Sequence, residues 1–167
     1  WAFPRFTGED HLWMRSHDLG GDGVVIFFVL SGLLISFAAE RRVGEGPGLF
    51  AVDRLSRLWS VALPALVFCY LLDVIGQAAM PEIYAAVGYQ GGVSFEALLT
   101  GATFTSQLWF WNIQPGSNGP YWSLGYEAWY YLIFALFFFA KGKWRWVLAG
   151  GAALIAGPKI ALLAPSW

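Results

Sequence analysis

From Gly23 to Ala39 the chain carries no charged residue and is almost wholly apolar, and Glu40-Arg41-Arg42 ends the run sharply. Its seventeen residues reach about 26 Å as a helix, close to the roughly 30 Å of a bilayer core. A second apolar run covers 58–81, charged only at Asp73, with Pro64 placed to kink a helix. Between the two runs, 43–48 holds Gly44, Gly46, Pro47 and Gly48 and reads as a loop. A short mixed stretch with Asp53, Arg54 and Arg57 comes after it. Residues 82–96 form another loop without Lys or Arg. The pattern predicts a third span over 121–140, with Glu127 inside it and Lys141, Lys143 and Arg145 after it. A weaker fourth span covers 146–164, interrupted by Gly150, Gly151, Gly157, Pro158 and Lys159.

Charge asymmetry orients these elements, since Lys and Arg concentrate on the cytoplasmic side. The segment 40–57 holds Arg41, Arg42, Arg54 and Arg57, and the turn 141–145 holds three cations, so both are expected in the cytoplasm. Asp73, Glu82 and Glu96 lie in a region free of cations, expected outside. An odd number of crossings must then join residue 96 to Lys141. With 121–140 as one crossing, 97–114 is expected as a re-entrant or interfacial helix. Its Thr100, Thr103, Thr105, Ser106, Gln107 and Asn112 make it the most polar of the apolar runs, and Trp109 and Trp111 suit an interface. The predicted fold is all-α: a polytopic membrane helix bundle of about four spans plus this extra helix.

Composition sharpens that picture. Among 167 residues 57% are hydrophobic and 13% charged, and 31 aromatic side chains (14 Phe, 10 Trp, 7 Tyr) outnumber the 21 charged ones. A soluble domain of this size could not hide that much apolar surface, and disorder is excluded by the same numbers. The net charge of -1 implies no basic face for nucleic acid. The single cysteine, Cys69, permits no internal disulfide and no cysteine metal cluster, and two histidines leave little room for a histidine site, so no metal and no bound cofactor are expected. The chain opens at Trp1 and stops within an apolar segment at Trp167, which reads as an internal fragment of a longer membrane protein truncated at both ends.

Few residues can carry chemistry in such a chain. Arg54 and Arg57 share a helix face at the mouth of a span, where two guanidiniums can grip phosphates; the plainer alternative is a topology anchor partnered by Asp53. Glu127 is a carboxylate within an apolar span, costly unless it meets a partner or a wet cavity. It could transfer a proton or serve as a structural hydrogen-bonding group. Ser31 and Gly32 sit mid-run and read as small residues that let helices approach, because a serine nucleophile would need a base at its own depth. His11 and His17 each neighbour an acid that could orient an imidazole, though a solvated loop histidine fits as well. Asp73 reads as an interfacial residue.

Three stretches together resemble a known family. Gly20-Gly21-Asp22-Gly23-Val24-Val25-Ile26-Phe27-Phe28-Val29-Leu30-Ser31-Gly32-Leu33-Leu34-Ile35 is similar to a signature of the acyltransferase-3 family of membrane acyltransferases. Arg54-Leu55-Ser56-Arg57 resembles that family's Arg-x-x-Arg motif. The stretch from Gly119 to Tyr131, with Trp122-Ser123-Leu124, Glu127 and Tyr130, resembles its Trp-Ser-Leu-x-x-Glu-x-x-Tyr element.

The resemblance implies a domain about twice this length, of roughly ten spans. It implies an O-acyltransferase in the bacterial inner membrane that moves an acyl group, usually acetyl, from cytoplasmic acyl-CoA as co-substrate to a hydroxyl of a cell-envelope or secreted carbohydrate. Arg54 and Arg57 would hold the donor phosphates, Glu127 would orient or tune the base, and Trp122 and Ser123 would shape the pore. The family's usual catalytic histidine ends a span upstream of residue 1. Neither His11 nor His17 matches it, and His17 is at most a weak stand-in, so the fragment is expected to be inactive alone. The rival class is a non-enzymatic transporter of polysaccharide or lipid-linked glycan, which would also carry an intramembrane acid.

Overall fold

The computed structural model describes residues 19–41, 44, 46–86 and 94–162. Among them every regular element is helical: α1 (Leu19–Arg41), α2 (Gly46–Ala79), α3 (Pro81–Ala86), α4 (Phe95–Ala102), a 3-10 turn at Gly119–Tyr121, α5 (Trp122–Phe139), α6 (Trp144–Ala156) and α7 (Pro158–Ala161). The chain divides into two units, 1–41 and 42–167.

In the first unit, α1 is apolar around its circumference. Ile26, Phe27, Val29, Leu30, Leu33, Leu34 and Phe37 are each more than half exposed. A helix with such a surface suits hydrocarbon rather than water. The stretch Gly23–Arg41 and the helix α2 are the two elements long and apolar enough to cross a bilayer among the described residues.

In the second unit, α2 runs for 34 residues, about 51 Å, well beyond a bilayer core of roughly 30 Å. It begins at Gly46, inside the segment expected as a loop, because the mixed stretch carrying Arg54 and Arg57 continues the apolar helix without a break. Residues 58–79 alone would cover about 33 Å. The N-terminal turns with both arginines are then free to project from the core. Leu58, Ala62, Leu66 and Asp73 form one buried line along α2. The opposite faces expose Val61, Leu63, Val67, Phe68, Leu71, Val74 and Ile75.

Helices α5 and α6 pack as an antiparallel hairpin around a turn with Gly142 at φ 57. Ala149, Ala152 and Ala156 are buried along α6, and such small side chains allow close helix approach. Helix α5 has 18 residues, about 27 Å. Helix α6 has 13, about 20 Å, too short to cross a core of roughly 30 Å by itself. It stops at Gly157, whose φ of 89 breaks the helix before α7. A Cβ there would lie 2.7 Å from Trp109 Cα and 2.8 Å from Trp109 N, so only glycine fits.

The single helix expected over 97–114 ends at Ala102. Phe104 and Trp109 take left-handed φ values of 57 and 53, which no α-helix contains. Beyond Ala102 the chain is irregular, and its backbone groups find partners from several helices. Trp59 Nε1 donates to Ala102 O at 3.0 Å, Tyr121 Oη to Gly101 O at 3.2 Å, and Trp129 Nε1 to Phe104 O at 3.0 Å. Trp109 N donates to Ala156 O at 3.1 Å, and Lys159 Nζ to Trp111 O at 3.3 Å. Indole and phenol groups thus satisfy carbonyls that a helix would have used itself. That is the condition for irregular backbone in apolar surroundings.

Candidate active site

The N-terminal turns of α2 run antiparallel to the C-terminal half of α5. The Phe50 ring meets Phe139 at 5.6 Å and Phe134 at 5.8 Å between centroids. One turn along α2, the Arg54 guanidinium carbon lies 5.5 Å from the Phe50 ring centre and 5.7 Å from that of Tyr131. One turn back along α5, the Tyr131 hydroxyl donates to the Glu127 carboxylate. The i, i+4 spacing puts Glu127 and Tyr131 on one helix face. Two residues singled out far apart in sequence, Arg54 and Glu127, are therefore brought to one face through a tyrosine.

Arg54 is half-buried, and its Nε is buried without a hydrogen-bond partner. Aromatic faces hold the guanidinium by cation–π attraction, which leaves its fork of donors to an anion. Arg57 lies three residues later on α2 and is exposed. A pair of this kind suits the oxygens of a phosphate. Glu127 is half-buried and accepts from Tyr131.

The other motif residues have local roles. The Trp122 ring packs edge-on against Tyr126 at 5.2 Å, and Ser123 Oγ donates to Pro120 O at 3.0 Å across the start of α5. The hydroxyl of the motif tyrosine, Tyr130, donates to Ile160 O at 2.7 Å. Ser31 and Gly32 lie mid-way along α1, in the separate first unit, and a Cβ on Gly32 would meet nothing within 4 Å. His11 and His17 fall outside the described residues. Among the described residues no three or more His, Cys, Asp or Glu side chains gather as a metal ion would need.

A family model for an acyltransferase domain matches residues 2–161. The chain belongs to the acyltransferase-3 family. No curated protein and no solved structure gives a significant match. Membership places this acyltransferase-3 chain among membrane proteins, in keeping with the exposed apolar surfaces of α1 and α2.

The acyltransferase-3 chain has a second polar centre, built around Asp73. Asp73 is completely buried. Its carboxylate accepts from the Ser117 backbone N–H at 2.8 Å and from Tyr84 Oη at 3.3 Å. Cys69, one turn earlier on α2, faces the Asn118 side chain. A Cβ at Gly76 would collide with the Tyr84 ring, so that glycine admits the tyrosine. Desolvation and the Asp73 charge push the Tyr84 phenol upward, which keeps it a donor. Asp73 is thus a packing hub that joins α2 to α3 and to the segment before α5. Its signal in the sequence was a lone charge inside an apolar run, the pattern that also marked Glu127. Sequence reasoning does not single out Tyr131, although its position four residues after Glu127 is a helical contact spacing.

Proposed function

We propose that the protein is a membrane O-acyltransferase that moves an acyl group, acetyl in the simplest case, from cytoplasmic acyl-CoA to a hydroxyl of a cell-envelope or secreted carbohydrate. The observation that supports it most is the ring-held guanidinium of Arg54, with Arg57 beside it, one aromatic residue away from the Glu127 carboxylate. In this reading α1, α2, α5 and the α6–α7 pair are the four crossings in a bacterial inner membrane. The arginines sit at the cytoplasmic end, where positive charge is retained.

Arg54 and Arg57 hold donor phosphates and fix the thioester at the mouth of the bundle. A histidine base, which the family resemblance locates before residue 1, takes the proton of the acceptor hydroxyl. The oxygen attacks the thioester carbonyl, the carbon–sulfur bond breaks, and the thiolate leaves with the proton returned by the histidine. Glu127 orients or tunes that base, as a carboxylate does for an imidazole. Apolar walls keep water from the thioester.

The test is transfer of label from acyl-CoA to glycan by membranes containing the intact protein. Transfer that depends on Arg54, Arg57 and Glu127 supports the reading. Movement of glycan across the membrane without acylation would replace it with a transporter.

A further inference from the structure

Tyr131 is 5% exposed and touches both groups on which the proposed reaction depends. Its ring lies under the Arg54 guanidinium at 5.7 Å, and its hydroxyl donates to the Glu127 carboxylate. We infer that Tyr131 is a positioning residue that joins the donor-gripping arginine to the functional carboxylate, its ring seating Arg54 and its hydroxyl fixing Glu127. The inference rests on the acyltransferase reading and deepens it.

Each partner lacks something that Tyr131 supplies. Arg54 Nε is buried and makes no hydrogen bond, so the guanidinium is held by its two rings. Phe50 supplies one of these and Tyr131 the other. A carboxylate in apolar surroundings needs a donor, and Tyr131 provides it from the next turn of the same helix. The motif tyrosine does not fill this role, because Tyr130 is committed to Ile160 O at 2.7 Å.

Electronically the two contacts reinforce each other. A cation over the ring draws electron density from it and makes the phenol a stronger donor. The Glu127 carboxylate at the far end makes the ring a better seat for the cation. Binding of a phosphate at Arg54 would weaken the first effect and so be felt at Glu127. One side chain thus links occupancy of the donor site to the state of the carboxylate.

The test uses the intact protein in membranes, with Tyr131→Phe and Tyr131→Leu, and acetyl-CoA as the probe. Two readouts are taken: equilibrium binding of acetyl-CoA, and steady-state transfer. Tyr131→Phe keeps the seat and removes the hydroxyl. We expect its acetyl-CoA affinity to stay within about 2-fold of wild type, while kcat falls about 10- to 100-fold, the range for losing a hydrogen bond to a charged group. The loss should fall on kcat rather than on acetyl-CoA affinity, because the hydroxyl serves Glu127 and the ring serves Arg54. Tyr131→Leu removes the seat as well, and acetyl-CoA affinity should fall by about 3- to 30-fold.

A Tyr131→Phe protein with wild-type kcat would overturn the inference, whatever the leucine variant does. So would a folded Tyr131→Leu protein with wild-type affinity. If wild type itself binds no acetyl-CoA, the donor reading fails first and the coupling falls with it. Adding Glu127→Gln to Tyr131→Phe should cost little beyond either change alone, whereas fully additive losses would contradict the link.

Discussion

Asp73 accepts a hydrogen bond from the backbone N–H of Ser117, 44 residues further along the chain, at 2.8 Å. The carboxylate is completely buried and also holds Tyr84, so it ties α2 to α3 and to the irregular segment before α5. Replacing Asp73 with Ala would remove the acceptor of both the Ser117 N–H and the Tyr84 hydroxyl, at a cost of about 1 kcal/mol per bond. We expect Asp73→Ala to lower the unfolding temperature of the detergent-solubilised protein clearly. Asp73→Asn, which retains an acceptor oxygen, should lower it less. Equal stability of all three proteins would show that the hub contributes nothing.

Gly157 gives a second stability prediction. Its φ of 89 and the 2.7 Å approach a Cβ would make to Trp109 Cα leave no room for a side chain. Gly157→Ala should destabilise by at least about 1–3 kcal/mol and loosen the 103–118 segment. Faster hydrogen exchange at Trp109 N, which donates to Ala156 O at 3.1 Å, would report it. Unchanged exchange there would contradict the assigned packing.

The arginine pair is tested separately. Arg54→Ala and Arg57→Ala should each weaken acyl-CoA binding by about 10-fold or more while leaving the protein in the membrane. Arg54→Lys should restore little, because an ammonium offers neither the planar fork nor the stacking surface. Wild-type affinity in both alanine variants would reduce the pair to a topology anchor.

The same cations are expected to set the topology. In a Cys69→Ser background, Leu49→Cys should be shielded from a membrane-impermeant thiol reagent in intact cells. Glu82→Cys should be labelled. The reverse pattern would invert the bundle and move Arg54 away from cytoplasmic donors.

Much of this architecture is legible in the chain because an apolar environment leaves few options. The run Gly23–Ala39 has to be a helix when no water is present to satisfy its backbone, and α1 spans it. Arg54 and Glu127 stand out because charge in or beside an apolar run is costly. The segment 97–114 departs from its pattern for the opposite reason. Its hydrophobic positions permit a helix, but its carbonyls are taken by Trp59, Tyr121 and Trp129, whose positions depend on tertiary packing. Polar side chains compete there as well, with Thr103 Oγ1 donating to Leu99 O at 2.7 Å. The start of α2 at Gly46 is hidden by Gly44, Gly46, Pro47 and Gly48, because a proline in the first turn opens a helix as readily as it ends one. Tyr131 is hidden by abundance: in a chain with seven tyrosines, only geometry separates it from Tyr130.

The central claim is that this acyltransferase-3 chain uses a charged Glu127 to support acyl transfer from acyl-CoA. The most direct measurement is incorporation of label from radiolabelled acetyl-CoA into glycan by membranes containing the intact protein, wild type against Glu127→Gln at matched protein levels. The glutamine keeps the shape and an acceptor for the Tyr131 hydroxyl but removes the charge. Wild type should give acetyl-CoA-dependent incorporation, and Glu127→Gln should lose most of it while retaining acetyl-CoA binding. Equal incorporation by the two proteins, or none by wild type with any glycan acceptor offered, would contradict the claim.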